Sequence, residues 1–541
     1  MSTPNMQRTE PFPVSSRFLP PPMAQTLRES LEHSEPETFL RNTVQGMVHD
    51  DQLPPYFMDL MKVEQAVSQA AGKHKAVAED PPTPLLNPTL QLLEVAWSGL
   101  AEFFKPDRQN PPEPEPGAET LMVWKPSDTD TVRVQKAHSE DLVALKIAAE
   151  DLEIRDLAEA HQCSPLSLQG LIARSGRMGL LILPRPTIRR GAETLGHNQV
   201  TEGRFLAPKV FTLQWHLTQA CDLNCKHCYD RSPRSPLKQE QAFWIEDELE
   251  RFCLEHRVQG KITFSGGNPL LYPHFEDVYR RAARKGFALS ILGNPAPRRQ
   301  IEALAAIQRP SSYQVSLEGL EAHNDHIREP GHFQRTLAFL ELLAELKIPS
   351  QVMLTLTRDN MNQVLPLAER LRGLTGNFTF NRLSPVGQGA ELLLPTKDEY
   401  ESFLREYRAA AKTNPVLGIK DNLINILRRE SGHRPFGGCT GFGCGAAFNF
   451  AALLPDGEVH ACRKFPSWIG NIFQTSLQAI FDSDQARGYR AGSSACAGCN
   501  LRPVCGGCQA VVSGLGMDPG RDLDPYCFYS QKPPQSVNCA P

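Results

Sequence analysis

Phe211-Thr-Leu-Gln-Trp-His-Leu-Thr218 passes directly into Gln219-Ala-Cys221-Asp-Leu-Asn-Cys225-Lys-His-Cys228-Tyr229. The first segment reads as a strand. The second is a loop whose cysteines are spaced Cys-x3-Cys-x2-Cys. With the chain's 14 cysteines scattered at random, such a triplet would arise roughly 0.01 times. Three thiolates on one short loop can hold three irons of a cubane cluster, where the usual set is four. Such a site leaves one iron open to a small ligand. A zinc knuckle short of one ligand and plain unmetallated thiols are the bland alternatives.

The pattern around the triplet is a repeat. Strand candidates follow at Lys261–Phe264, Ala288–Leu292, Tyr313–Leu317, Gln351–Thr357 and Phe378–Leu383. Amphipathic stretches near 239–257, 274–285, 298–307, 333–346 and 361–373 lie between them. Six βα units predict a parallel sheet over 205–395, fewer than the eight of a closed barrel. Ligands of such sheets collect at the carboxyl ends of the strands. Ser265-Gly266-Gly267-Asn268-Pro269 ends the second strand, and its glycine pair permits backbone to approach a bound ligand closely. Asn294 ends the third. Ser316 and Glu318 end the fourth, with Arg328 following in Asn-Asp-His-Ile-Arg, and Leu383-Ser-Pro-Val-Gly387 ends the sixth.

Composition narrows the class. The chain has 541 residues, which at ~150 per domain gives three or four domains. Lys+Arg 57 against Asp+Glu 61 leaves a formal charge of −4, which gives no support to a nucleic-acid surface held by bulk charge. The longest apolar run, Met178-Gly-Leu-Leu-Ile-Leu183, is far short of the ~20 residues of a membrane span. The first residues, MSTPNMQRTEPFPVSSRFLP, lack the apolar core of a secretory signal. A cytoplasmic location is expected, with no membrane and no nucleic-acid partner. In a reducing compartment this many cysteines argue for metal or redox chemistry rather than disulfides.

Ahead of the repeat, residues 1–105 are expected to be helical, with patterns at Tyr56–Ala71 and Leu90–Phe104. A Pro-rich linker spans 106–118. Residues 119–190 then read as two short strands (Thr120–Trp124, Thr131–Val134), three helices (Leu142–Ala149, Ile154–His161, Leu166–Arg174), a turn at Ser175–Gly179 and a strand at Leu180–Leu183. Ser164 can cap the last helix, with Pro165 in its first turn. That order is a small winged-helix pattern.

Cys221, Cys225 and Cys228 at the end of the first strand of a sixfold βα domain resemble the radical S-adenosylmethionine enzymes. The resemblance implies a partial (β/α)6 barrel and an open iron chelated by S-adenosylmethionine. One electron would cleave the sulfonium, and a 5′-deoxyadenosyl radical would abstract a substrate hydrogen. It implies that His227 lies near adenine, and that Gly266, Gly267 and Asn268 receive the methionine amino group. The family's usual form there is GGEP, so Asn268 stands in place of the acid. Asn294 is included as a cofactor contact, and Ser316 and Glu318 as ribose and methionine contacts. Arg328 is a carboxylate partner or, equally, a solvated surface arginine. Leu383–Gly387 would pack adenine. The segment Ser265–Phe275 is similar to maturases of selenobiotic-type peptides.

Nine cysteines follow residue 438: Cys439-x4-Cys444-x17-Cys462, Cys496-x2-Cys499-x5-Cys505-x2-Cys508, Cys527 and Cys539. With Gly457 five residues before Cys462, residues 396–541 resemble the SPASM extension, with x2 rather than the usual x3 in the last close pair. The resemblance implies two auxiliary [4Fe–4S] clusters, one on Cys439, Cys444, Cys462 and Cys508, the other on Cys496, Cys499, Cys505 and Cys527. A zinc ribbon on Cys496, Cys499, Cys505 and Cys508 is the alternative. Cys163 and Cys253 are expected to be packed thiols, and Cys539 free or reactive.

Family likeness points to a peptide maturase that oxidises or cross-links a precursor residue, for example into a thioether. Residues 119–190 resemble a RiPP recognition element, which pairs a leader peptide with a sheet edge, here expected within Leu121–Val134. A flavodoxin or ferredoxin would supply electrons. The sequence identifies no general base. One alternative is a formylglycine-generating sulfatase maturase, although Arg463 stands where those enzymes carry an Asp. The other is a non-catalytic iron–sulfur regulator that binds DNA.

Overall fold

The computed structural model describes residues 14–18, 53–72, 80–105, 110–190 and 203–529. Cys539, most of the first 52 residues and linker residues 106–109 lie outside that set. The chain forms two units, Met1–Arg185 and Pro186–Pro541.

In the first unit the strands are β1 (Leu85–Leu86), β2 (Gln91–Ser98), β3 (Glu115–Trp124), β4 (Arg133–Lys136) and β5 (Leu181–Ile182). β2, β3 and β4 form one antiparallel sheet in that order, and β1 pairs with β5. β3 is buried on both faces. Leu121 and Val123 pack with Leu60 and Val63 of the helix Phe57–Gly72. Met122 and Trp124 pack with Leu145 and Ile172 of the helices Ser139–Ala149 and Pro165–Met178. This alternation is what period-two geometry requires of a central strand. The Ser164 side chain accepts from the Leu166 and Ser167 amides, and Pro165 opens the helix.

Four expectations need correction here. Leu90–Phe104 is not a helix: it is β2 followed by a 3-10 turn at Leu100–Phe104. Its apolar residues fit either period, but Leu93, Val95 and Trp97 pack toward the core while Leu92 is exposed, and pairing with β3 satisfies the backbone. The second correction is that the extended linker ends early, because β3 begins at Glu115. Third, Ser175–Met178 completes the last helix rather than turning. Finally, Cys163 is exposed, whereas Cys253 is buried as expected.

The second unit holds β6 (Val210–Thr218), β7 (Gln259–Gly266), β8 (Ala288–Leu292), β9 (Ser312–Ser316), β10 (Ser350–Leu356), β11 (Asn377–Arg382), β12 (Phe450–Leu453), β13 (Glu458–His460) and β14 (Trp468–Asn471). β6 to β11 are parallel neighbours in sequence order. The outward side chains, such as Leu213, Trp215, Ile262 and Phe264, are fully buried. Each such burial contributes ~1.5–3 kcal/mol. The inward ones are polar: Gln214, Thr263, Ser290, Gln314, Gln351 and Thr379 face a cavity of about 1180 Å³. A six-strand arc therefore encloses a chamber rather than a packed core.

The sheet does not stop at β6. β12 adds to it in parallel, Phe450 opposite Thr212 through Leu453 opposite Trp215, and β13 and β14 continue antiparallel. The cysteine-rich C-terminal part thus shares one nine-stranded sheet with the six-unit repeat. A second tie closes the other side. Arg382, the last residue of β11, donates to Asp421 at 2.9 Å and to both carboxylate oxygens of Asp524 at 2.9 and 2.8 Å. Asp524 also accepts from the Cys508 amide at 2.8 Å. Among the described residues no helix is long and apolar enough to cross a membrane.

Breaking a buried ion pair on one side leaves uncompensated charge and costs about 3–5 kcal/mol. Arg382→Met is therefore expected to lower the melting temperature of the iron-loaded protein. It should also loosen the Cys508 segment, seen as faster amide exchange there.

Candidate functional site

The cysteine loop is clamped where β6 meets β7. Gly267 and Asn268 donate backbone hydrogen bonds to the Thr218 and Ala220 carbonyls, at 2.9 and 2.8 Å. Gly266 has φ +141°, and a Cβ on it would sit 2.3 Å from the Thr218 oxygen. On Gly267 it would sit 2.2 Å from the Ala220 oxygen. The glycine pair lines the cavity, and its bare Cα atoms make room for the chain's own cysteine loop. The loop is held further along as well. The Lys226 amide donates to Ile327 at 2.9 Å, and the Gln388 amide donates to Cys228 at 3.0 Å. Gly387 packs so close to Tyr229 that a Cβ would be 2.5 Å from its carbonyl oxygen.

The other expected residues divide. Cys221, Cys225, Cys228, His227, Asn294, Ser316 and Arg328 border the same cavity. Leu383 borders it too. Asn268 does not: it is buried, its side chain caps the 3-10 turn Pro269–Leu271 and donates to Asp222 at 3.1 Å. Glu318 is also buried behind the wall rather than in it. One of its oxygens accepts from Arg328 at 2.6 Å and lies 3.4 Å from His227 Nε2; the other accepts from the Thr355 amide at 2.8 Å. Arg328 is therefore no solvated surface arginine. Its Nη1 reaches Cys225 Sγ at 3.6 Å.

The electrostatics follow. Burial pushes the Glu318 carboxyl up, but His227 and Arg328 outweigh it and hold it below the ordinary range. Burial raises the Cys225 thiol, with Arg328 opposing. Burial also lowers the His227 imidazole, and its Nδ1 is buried with no hydrogen-bond partner among the described residues. Sequence reasoning missed Asp222, whose carboxylate accepts from Asn294 at 2.5 Å and from Asn268. Its only sequence signal is its place directly after Cys221.

The C-terminal thiols fall into two sets. Burial pushes the Cys444 thiol up to about 12, reinforced by Cys508, Cys462 and Cys439 nearby. Burial pushes Cys496 up to about 11, reinforced by Cys499 and Cys527. Cys505 is raised further, by burial and then by Cys527, Asp524 and Cys499. Cys496, Cys499, Cys505 and Cys527 together line a cavity of about 200 Å³. Cys508 sits with the first set, so the zinc-ribbon foursome is not the one brought together. Cys439 and Cys462 border the large cavity that also holds the Cys221–Cys228 triplet.

These donor sets suit iron–sulfur cubes. Thiols buried side by side resist ionisation unless a cation joins them, and cluster assembly would release their protons. A tetrahedral zinc, with bonds of about 2.3 Å, draws its thiolates to about 3.8 Å of each other. Among the described residues no three His, Cys, Asp or Glu side chains are grouped tightly enough for a single ion. A cube keeps its thiolates wider apart, with irons between them.

Comparison with known proteins agrees. Residues 215–371 match the family described as the radical SAM superfamily, and residues 444–509 match an iron–sulfur cluster-binding domain, SPASM. Mycofactocin maturase MftC of Mycolicibacterium smegmatis is 30% identical over 342 residues, 58% of this chain and 82% of that protein. The AdoMet-dependent heme synthase of Methanosarcina barkeri is 27% identical, covering 60% of this chain and 97% of the relative. The subtilosin biosynthesis protein AlbA of Bacillus subtilis is 25% identical, covering 60% and 72%. Two cofactor sets come with these domains: S-adenosylmethionine at a [4Fe–4S] cluster, and auxiliary iron–sulfur clusters. The chain is an S-adenosylmethionine-dependent modifying enzyme that belongs to the radical SAM superfamily and carries a SPASM domain.

Proposed function

We propose that the substrate is a precursor peptide, one residue of which is oxidised or cross-linked, for example into a thioether. The observation that carries this reading is the single cavity of about 1180 Å³ bordered by both Cys225 and Cys462. A drug-sized ligand fills about 300–1,000 Å³. The chamber therefore has room for S-adenosylmethionine and for a side chain of a second molecule. Two relatives, a mycofactocin maturase and a subtilosin biosynthesis protein, support a peptide.

In this reading Cys221, Cys225 and Cys228 hold the cluster that S-adenosylmethionine completes. Cys439, Cys444, Cys462 and Cys508 hold one auxiliary cluster, and Cys496, Cys499, Cys505 and Cys527 the other. When bound, the first cluster would supply one-electron reduction of the sulfonium, with a carrier such as flavodoxin or ferredoxin as the electron source. The chain's own residues orient and enclose. Arg328 offers a guanidinium at the cavity wall for a carboxylate. Glu318 is a positioning residue that fixes Arg328 and His227 from behind. Asp222 steers the Asn294 amide. The clamp at Gly266–Gly267 sets where the triplet sits.

The first unit would bind the leader. Of the expected edge within Leu121–Val134, Leu121–Trp124 belongs to the central β3, whereas Arg133 and Val134 belong to β4, an edge strand as β2 is on the other side. The Ala137 amide donates to the Thr120 carbonyl at 2.8 Å, toward β3. In an antiparallel ladder successive residues alternate sides. Val134 and Lys136 therefore aim their backbone groups outward, ready for an added strand. A cavity of about 540 Å³, lined by Val134, Lys136, Arg174 and Met178 among others, adjoins that edge.

A heme-type substrate is the second reading, favoured by the names of three relatives, all AdoMet-dependent heme synthases. Formylglycine formation is disfavoured. Arg463 Cζ lies 3.9 Å above the Tyr229 ring and its Nε donates to the buried His216, so the position offers no base. Family membership sets aside the non-catalytic regulator.

Three outcomes test the proposal. Mass spectrometry of reduced enzyme with S-adenosylmethionine and a candidate cysteine-containing precursor should show a mass change in the peptide and none in a heme precursor. Cys225→Ala should abolish cofactor cleavage, whereas Cys505→Ala should cleave the cofactor without product. Lys136→Pro removes one outward amide, worth ~0.5–1.5 kcal/mol. It should weaken leader binding up to about tenfold, with Lys136→Ala near wild type and uncoupled cofactor cleavage unchanged in both.

A further inference from the structure

Three cations gather around the first C-terminal thiol set, and none has a carboxylate partner among the described residues. Lys420 lines the large cavity together with Cys439 and Cys462, and among the described residues its Nζ donates only to the Met353 sulfur, at 3.9 Å. Lys464 lies two residues beyond Cys462, lines the same cavity and donates to the Arg382 carbonyl at 3.1 Å. Arg190 donates to the carbonyls of Cys444 and Pro503, at 3.0 and 2.8 Å, and stacks 4.5 Å over Phe448. Lys420 and Lys464 lie beside Cys439, Cys462 and Cys508, and Arg190 lies beside Cys444. Elsewhere in the unit Arg382 takes two aspartates and Arg328 takes a glutamate.

The second set has weaker surroundings. Arg502 stands beside Cys496, and Lys397 near Cys527 is exposed. Solvent and salt screen an exposed charge. Arg190 and Arg502 border one small cavity with both Cys444 and Cys496, so these two arginines serve both sets and do not separate them. Asp524 touches both sets, through the Cys508 amide and beside Cys505, and Arg382 balances it, so that pair does not separate them.

A cluster held by four thiolates is anionic and becomes more so on reduction. Nearby positive charge in a poorly screened site stabilises the reduced form and raises the potential. Resting on the ligation read above, we infer that Lys420 and Lys464 make the Cys439–Cys444–Cys462–Cys508 site the more electron-accepting of the two auxiliary sites. The set that borders the substrate chamber is then the one poised to take an electron.

The test is a redox-poised EPR titration of the iron-loaded enzyme. Lys464→Met should shift the higher-potential auxiliary couple about tenfold toward oxidised, about 59 mV downward for one electron. The lower couple should stay in place, and Lys464→Arg should leave both unmoved. Lys420→Gln should act in the same direction, which covers the case in which the Lys464 variant fails to load iron. Movement of the lower couple, or of neither, would overturn the inference. Wild-type enzyme lacking a second auxiliary signal would instead overturn the ligation reading beneath it.

Discussion

The meeting of two backbones at the carboxyl ends of β6 and β7 governs the architecture of the site. Thr218 and Ala220 lie against Gly266 and Gly267 with no space for a Cβ on either glycine. Two backbone hydrogen bonds seal the contact. The triplet of cysteines is the direct continuation of that seam. Its position is set by main-chain atoms, which lack rotamer freedom. Side chains then decorate a fixed frame: Arg328 beside Cys225, Glu318 behind Arg328, Asn294 and Asp222 beside Cys221.

A second theme is the polarity of the interior. Alternate residues of the parallel strands send Leu213, Trp215 and Phe264 under the helices and Gln214, Thr263 and Ser290 into the chamber. Hydrophobic stabilisation therefore comes from the outer layer alone. The lumen is free to hold polar ligands because the fold does not need it filled.

Much of this is legible in the chain. The six strands and their helices stand out because each run is bounded by turn residues and has a clear period. The triplet stands out by spacing. The misses have physical causes. Leu90–Phe104 is short and apolar at both periods, so only pairing with β3 decides it. Phe450–Leu453 is a four-residue run with no alternation, and its place beside β6 depends on contacts over 230 residues away in sequence. Asn268 and Glu318 lie at the right strand ends, but their side chains turn to Asp222, Arg328 and His227. Side-chain direction at a strand terminus is set by neighbours that one-dimensional spacing does not name. The lysines at 420 and 464, which lack a carboxylate partner among the described residues, leave no pattern at all.

The nine-stranded sheet has a consequence for how such proteins diversify. Because β12 hydrogen-bonds along β6, the auxiliary portion is not a bead on a string. Removing it would bare the edge of the very strand that delivers the cysteine loop, inviting aggregation. Lineages that lose or exchange this portion must therefore cap β6 in some other way, and recombination at the apparent domain border near 395 is constrained accordingly.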